Sequence, residues 1–340
     1  MSSFSSFVKL GFNYGGAWLA QRLTTDYPRI LMYHRFYRSD DNGGVSADLF
    51  ERQVATLSRS CECLTVTELV ERRLNGSRAS KGRPVACITV DDGYSDFYEV
   101  AFPILRKYQV PATFYVSTGF VDGSCWLWYD RLKWIVAQNV SVPVDFGDYH
   151  FEVDQWNRDK SGTWGTLVSK LLRVDGKSIE LQLAELARKV GVVVPEGAPS
   201  GFKAVSWPQL RELHKAGIEI GAHTVNHYSL GRLDQSDAEE EVRRCRERLK
   251  EEIGAEPKAF CYPNGQPADV PENYVDLLRN TGFSSSVVAY YDRKGPADTF
   301  ALRRHGVGNS WYEFQKTVAG IDRLGAVLLN RNNVFDWGSN

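Results

Sequence analysis

Two aspartates stand side by side in Thr89-Val90-Asp91-Asp92-Gly93, directly after the apolar run Val85 to Ile88. A strand running into a polar loop puts such carboxylates at a sheet edge, and in barrel folds that edge carries the chemistry. Taken alone, Asp-Asp-Gly reads as a solvated turn. A second group shifts the balance. Gly221-Ala222-His223-Thr224-Val225-Asn226-His227 also follows an apolar run, and its two imidazoles lie four residues apart. They can face one centre if the chain turns helically between them, a spacing that suits a metal ion.

Two further segments end apolar runs. Phe260-Cys261-Tyr262-Pro263-Asn264-Gly265 carries a strand into a Pro-Asn-Gly turn, which can expose a backbone N–H, although many such turns are only turns. Leu302-Arg303-Arg304-His305 places a histidine near the end of a late strand. There His305 could donate a proton, or could be a structural histidine with its hydrogen bonds satisfied.

These residues need elements to hold them. Short β-branched runs recur at Arg29 to His34, Val85 to Val90, Ala112 to Ser117, Ile218 to His223, Lys258 to Tyr262 and Ser284 to Val288. Helical patterns lie between most of them. Phe50, Val54 and Leu57 mark one apolar face, Phe97 to Tyr108 another, and Ser236 with Glu239 reads as a capping box opening a charged helix that runs to about Ile253. Strands alternating with helices predict parallel strands in an α/β fold. From about Phe120 to Lys203 the alternation lapses, although Trp126 to Gln138 and Ser178 to Val190 read as helices. This stretch is an expected insertion. It carries Trp126, Trp128, Trp134, Trp156 and Trp164, rings that can stack on sugars or fill a core.

Composition sets the outer limits. With 340 residues, 43% of them hydrophobic, the chain can bury one large core. Its 41 Lys and Arg nearly balance 42 Asp and Glu, giving no footprint for nucleic acid and no strong pull toward anionic membranes. Cys61, Cys63, Cys87, Cys125, Cys245 and Cys261 are scattered, as reduced thiols are, rather than paired as C-x-x-C ligands. Met1 to Leu23 holds Phe4, Phe7, Leu10, Phe12 and Trp18 but no long apolar run. It reads as an N-terminal segment, residues 1–28, packed as a helix on the body or lying on a membrane surface. The expectation is a cytoplasmic protein, potentially at the inner membrane face, with its oligomeric state left open.

In this order the motifs resemble those of the polysaccharide deacetylase family, whose members remove acetyl groups from chitin, peptidoglycan and exopolysaccharides. The resemblance covers about Arg29 to Val307. The family's Thr-Phe-Asp-Asp-Gly is similar to Thr89 to Gly93, with Val90 for Phe, and its His-Ser/Thr-x-x-His is matched by His223, Thr224 and His227. Leu31-Met32-Tyr33-His34-Arg35, Phe260 to Gly265, and Gly119-Phe120 through Trp128-Tyr129-Asp130-Arg131-Leu132 are similar to a bacterial branch associated with exopolysaccharides. His34 thereby becomes a further candidate, either in catalysis or as a buried, hydrogen-bonded histidine. Two departures stand out. Cys261 occupies a position where many members carry an arginine that orients the catalytic aspartate, and no segment matches the family's Trp-containing fourth motif.

The resemblance implies a distorted (β/α) barrel of seven or eight strands spanning 29–340, with the insertion at about 120–203. It implies Asp92, His223 and His227 as metal ligands and Asp91 as the base that takes a proton from water. The backbone N–H of Asn264, with Tyr262 beside it, would meet the oxyanion, and His305 would protonate the departing amine. Zinc suits two imidazoles and a carboxylate, and nickel, cobalt or iron also accept them. The expected substrate is an N-acetylated amino sugar of a cell-surface polysaccharide or its precursor. Alternatives on the same scaffold are a deformylase or deacetylase of a lipid-linked or small glycoside, and a catalytically silent carbohydrate-binding protein.

Overall fold

Each of the six β-branched runs forms a strand. In the computed structural model, which describes residues 17–38, 44–76, 82–291 and 298–328, they are β1 (Arg29–Tyr33), β2 (Val85–Val90), β3 (Ala112–Val116), β4 (Glu219–Ala222), β5 (Ala259–Cys261) and β6 (Ser285–Val287). A short seventh, β7 (His305–Gly306), pairs with β1. All pair in parallel in the order β6-β5-β4-β3-β2-β1-β7, and Glu62–Cys63 adds an eighth strand against β2. The two ends of this order meet. Leu302 bridges to Val287 of β6 three residues before His305 pairs with Leu31 of β1, so one segment spans both edges and closes the curl. The result is a distorted parallel barrel within the expected range of seven to eight strands.

The barrel explains why β2, Val-Ala-Cys-Ile-Thr-Val, is buried at every position. Parallel strands with helices outside and side chains inside have no wet face. Ala86, Ile88 and Val90 belong to the large core under the helices, together with Phe50, Val54 and Leu57 of the helix Ala47–Ser60. Val85 and Cys87 face the opposite way and meet Tyr115, Cys261, Val287 and Leu302 from four other parts of the ring. Alternation along β2 therefore sends Thr89 and Asp91 into the interior, one step above Cys87.

The charged helix runs over Gln235–Ile253, but its cap is Asp234, whose side chain accepts from the Asp237 N–H. Ser236 sits inside the first turn and donates to Asp234. This corrects the expected Ser236–Glu239 box. A carboxylate two residues earlier accepts the same orphan donors and adds a favourable charge at the helix N-terminus.

Residues between β3 and β4 leave the barrel and build a second core from Trp128, Leu132, Ile135, Phe146, Phe151, Trp156, Leu167, Leu171, Leu183 and Leu186. Its elements are the helices Trp128–Ala137, Val153–Arg158, Lys160–Leu171 and Gly176–Val190 and an antiparallel hairpin, Val144–Phe146 with Tyr149–Phe151. Trp156 is fully buried, with its indole N–H donating to the Gln138 carbonyl. Trp164 instead donates to the Tyr129 carbonyl at 3.1 Å, tying the helix Lys160–Leu171 to the helix Trp128–Ala137.

At the N-terminus, Ala17–Leu23 is a helix that buries Ala20 and leaves Trp18 62% exposed. Phe4, Phe7, Leu10 and Phe12 lie outside the described residues. Among the described residues no helix is long and apolar enough to cross a membrane. All six cysteines are free thiols.

Candidate active site

The loops at the C-terminal ends of β2, β4 and β5 converge on one cavity of about 400 Å³, within the ~300–1,000 Å³ typical of small-molecule sites. Asp91, Asp92, His223, His227, Tyr262 and Asn264 all line it. Strained backbone marks the convergence. Of the five described non-glycine residues with positive φ, four lie here: Asp92 (80°), Thr224 (64°), His227 (58°) and Asn264 (59°). Such conformations cost about 1–3 kcal/mol each and persist where the surroundings impose them. Gly93, at φ 102°, completes the first loop, and a Cβ there would meet Val116 Cβ at 3.2 Å.

His223 and His227 converge without the helical turn that their spacing suggests. The chain loops instead, with the Thr224 side chain accepting from the His227 N–H at 3.0 Å. Glu241, buried on the helix Gln235–Ile253, accepts from the N–H groups of Val225 and Asn226 at 2.9 Å each and from the Asn226 amide at 2.6 Å. One carboxylate thus pins the loop from behind. The two imidazole rings stand edge to face, 4.7 Å apart.

Asp92 Oδ1 lies 3.2 Å from His227 Nε2 and 3.5 Å from His223 Nε2. These three buried groups can all turn ligand atoms toward one point. His223 Nδ1 is 2.7 Å from the Cys261 carbonyl, and a carbonyl can only accept. Nδ1 therefore carries a proton, which leaves Nε2, facing the centre of the trio, as the atom available to a metal, the arrangement a metal-ligating histidine needs. The donor set fits a divalent ion with positions left over for other ligands.

Asp91 turns the other way. Its two oxygens receive a bidentate pair from the buried Arg304, Nη1 to Oδ1 at 2.6 Å and Nη2 to Oδ2 at 2.7 Å. Arg304 also donates to the Thr89 hydroxyl and the Val288 carbonyl, so its fork is fixed. Burial pushes the Asp91 carboxyl up, but the guanidinium outweighs it and holds the group below the usual carboxylate range. The arginine absent at Cys261 is thus supplied from the strand-end segment that closes the barrel. Cys261 remains beside the pair, its Sγ 3.5 Å from Asp91 Oδ2 and 3.2 Å from Arg304 Nη2.

His305 requires a correction. It is next to Arg304 and therefore faces outward, beneath the N-terminal residues rather than into the cavity. Its Nε2 is 2.7 Å from the Tyr27 hydroxyl, and Tyr291 lies over its ring at 4.3 Å. Burial, with the nearby Arg29 and Lys316, pushes it down to about 4. A neutral, enclosed imidazole outside the cavity is not placed to protonate a leaving group. His34, by contrast, lines the cavity, has a side chain 46% exposed rather than buried, and holds Nε2 3.8 Å from Asp91 Oδ2.

The remaining predicted residues divide. No described residue accepts from the Asn264 N–H, whereas the Tyr262 hydroxyl donates to the Phe300 carbonyl at 3.2 Å and is already occupied. Sequence reasoning missed Arg304, whose signal was its parity with Leu302. It also assigned no role to Tyr94, Tyr129 and Asp130, which form a cavity wall with Trp128 and Trp164, two of the rings singled out as able to stack on sugars.

The family profile described as Polysaccharide deacetylase matches residues 78–285. The chain belongs to that family. Poly-beta-1,6-N-acetyl-D-glucosamine N-deacetylase from Staphylococcus aureus strain MRSA252 is 36% identical over 191 residues, covering 53% of this chain and 61% of that protein. The chain therefore spans less than two thirds of that relative's length. Among solved structures, Streptococcus pyogenes deacetylase PplD in complex with acetate superposes with a TM-score of 0.56 at 18% identity, covering 85% of this chain and 97% of that one. IcaB from Ammonifex degensii gives a TM-score of 0.52 at 19% identity, covering 88% and 97%. Both have the fold of this polysaccharide deacetylase family member. The Asp92, His223 and His227 group is a candidate divalent-metal site of the kind this family depends on.

Proposed function

We propose that this chain is a metal-dependent N-deacetylase acting on amino sugars of a cell-surface polysaccharide or its precursor. The observation that carries the reading is the division of labour between two adjacent carboxylates. Asp92 joins two imidazoles, while Asp91 stays outside that trio, kept ionised by Arg304 and facing the same cavity. A binding protein has no use for both a ligand set and a spare base. The pairing with Arg304 also counters one of the two departures that favour a silent scaffold, the missing guanidinium, the other being the absent Trp-containing fourth motif.

Asp92, His223 and His227 would hold the ion, zinc by preference for two imidazoles and a carboxylate. Bound there, it supplies the Lewis acidity that makes water acidic near neutral pH. The protein's own residues do the rest. Asp91 accepts a proton from the attacking water, and Arg304 keeps its carboxylate oriented for that transfer. The Asn264 N–H has no acceptor among the described residues and can donate to the oxygen that gains charge as the acetamide carbon becomes tetrahedral. His34 Nε2, half-exposed and able to exchange with solvent, gives a proton to the amine nitrogen as its bond to the acetyl carbon breaks. Acetate and a free amino sugar result. The name of the Staphylococcus aureus relative, a poly-β-1,6-N-acetyl-D-glucosamine deacetylase, supports a polymeric substrate.

The test is acetate release from N-acetylated oligosaccharides and nucleotide- or lipid-linked amino sugars, with enzyme stripped of metal and reloaded with zinc, nickel or cobalt. Reloading should restore release. Asp91→Asn should keep its metal and lose about 10²–10⁴-fold in kcat, and His34→Gln a loss of the same order, as expected for general base and acid. Formate in place of acetate would establish the deformylase alternative. Binding of sugar with neither product, at full metal content, would sink the enzyme reading.

A further inference from the structure

One buried carboxylate in the cavity has no part in this scheme. Asp130 lies in the first turn of the helix Trp128–Ala137, is 5% exposed, and lines the cavity alongside Asp92 and His227. Burying a carboxylate is costly without a cation or several donors, and Asp130 has no ion pair among the described residues. Its one side-chain hydrogen-bond partner among the described residues is Tyr94, whose hydroxyl donates to Oδ2. Oδ1 receives no donor from any described residue.

The surroundings hold this group still. The Tyr129 and Tyr94 hydroxyls are 3.4 Å apart, and with the Tyr94 proton committed to Asp130, Tyr129 is left to donate to Tyr94. Arg35 stacks its guanidinium 3.8 Å from the Tyr94 ring centroid while its own charge is paired with Asp96 at 2.6 Å. The Tyr129 ring stands edge to face against His227, 5.4 Å away, so the same aromatic wall borders the metal trio and carries the carboxylate. A fixed carboxylate edge without a donor, opening on a cavity with aromatic walls, matches a polyhydroxylated ring. Apolar faces stack on the aromatics, and a hydroxyl supplies the missing donor.

We propose that Asp130 accepts a hydrogen bond from a ring hydroxyl of the amino sugar and so fixes the pyranose with its acetamide against the metal trio. The inference rests on the deacetylase reading above. It makes Asp130 a specificity residue contributed by the segment between β3 and β4, one that distinguishes a hydroxylated sugar from a bare acetamide.

The experiment measures kcat/KM for an N-acetyl amino sugar oligomer and for analogues lacking one ring hydroxyl at a time, in the zinc-loaded wild type and in Asp130→Asn. A hydrogen bond to a charged group is worth about 10–100-fold in kcat/KM. The wild type should lose that factor on one analogue and little on the others. Asp130→Asn, at unchanged metal content and melting temperature, should lose it on the parent sugar and nothing further on that analogue. Independent, multiplicative losses would overturn the proposal, as would equal wild-type rates on every analogue. If Asp130→Asn does not fold, Tyr94→Phe, which removes the donor orienting Asp130, must shrink the analogue-specific loss. An unchanged loss in that variant counts against the proposal. Failure of the wild type to release acetate or formate from any parent sugar would bring down the functional reading and this inference with it.

Discussion

Arg304 and Asp91 are buried together, and neither is stable alone. Two charges brought out of water recover their desolvation through a bidentate pair and the extra bonds from Arg304 to Thr89 and Val288. Removing one partner strands the other. Arg304→Met should therefore lower folding stability by about 3–5 kcal/mol, the usual cost of an uncompensated buried charge. Adding Asp91→Asn should restore part of that loss, because the stranded charge is gone. Denaturant titration of the two single variants and the double variant gives the coupling directly. If the losses add, the pair contributes no mutual stabilisation, and the orientation of Asp91 must come from elsewhere. The same cycle has a catalytic side. Arg304→Met should impair turnover at retained metal content, since the metal trio is built from β2 and the loop after β4 and makes no bond to Arg304.

At the scale of the element, strand parity decides which of two adjacent residues can act. In the segment Leu302–Gly306, Leu302 and Arg304 face the interior and His305 faces out onto Tyr27 and Tyr291. His305 is only 7% exposed and is held near 4, against an ordinary 6.5, chiefly by burial. The unfolded chain thus binds this proton first as pH falls. His305 contributes stability that is fully present above about pH 6.5 and lost as pH drops toward 4, amounting to about 3 kcal/mol. Between pH 7 and pH 4, wild-type stability should fall more steeply than that of His305→Gln by about that amount, and the variant should retain turnover. Parallel curves would show that the imidazole titrates normally, and lost turnover would return His305 to the reaction. The sequence was legible to this depth and no further. Apolar runs located the six longer barrel strands but not Glu62–Cys63, and the motif order located Asp91, Asp92, His223 and His227. A strand only two residues long left the inward face of its segment undetermined, so Arg304 passed unread and His305 took its place. The tryptophans between β3 and β4 were ambiguous for a related reason. Trp156 in a core and Trp164 on a cavity wall belong to the successive helices Val153–Arg158 and Lys160–Leu171, and only packing separates their roles.

At the scale of the molecule, the metal site is a cross-link. Asp92 follows β2 and the two imidazoles follow β4, with β3 and the whole second core lying between them in the chain. Before any ion binds, the trio is a local liability, with three buried polar groups on loops whose backbone is strained at Asp92, Thr224 and His227. An ion that binds only the folded arrangement stabilises it by mass action, by about 4 kcal/mol when present at a thousand times its dissociation constant. For a domain of this size that corresponds to a melting rise of roughly 10 °C, at about 2–4 °C per kcal/mol. Chelated protein should melt lower by that margin, and zinc should restore it in proportion to the logarithm of its concentration. The variants separate the roles. His223→Ala and His227→Ala should melt at one temperature with or without zinc, whereas Asp91→Asn should keep the full zinc-dependent rise while lacking turnover. A wild type whose melting ignores saturating zinc, nickel and cobalt would mean that the trio does not hold an ion. Asp92 would then be an aspartate bonded to two imidazoles, and the chemistry assigned to the cavity would lose its centre.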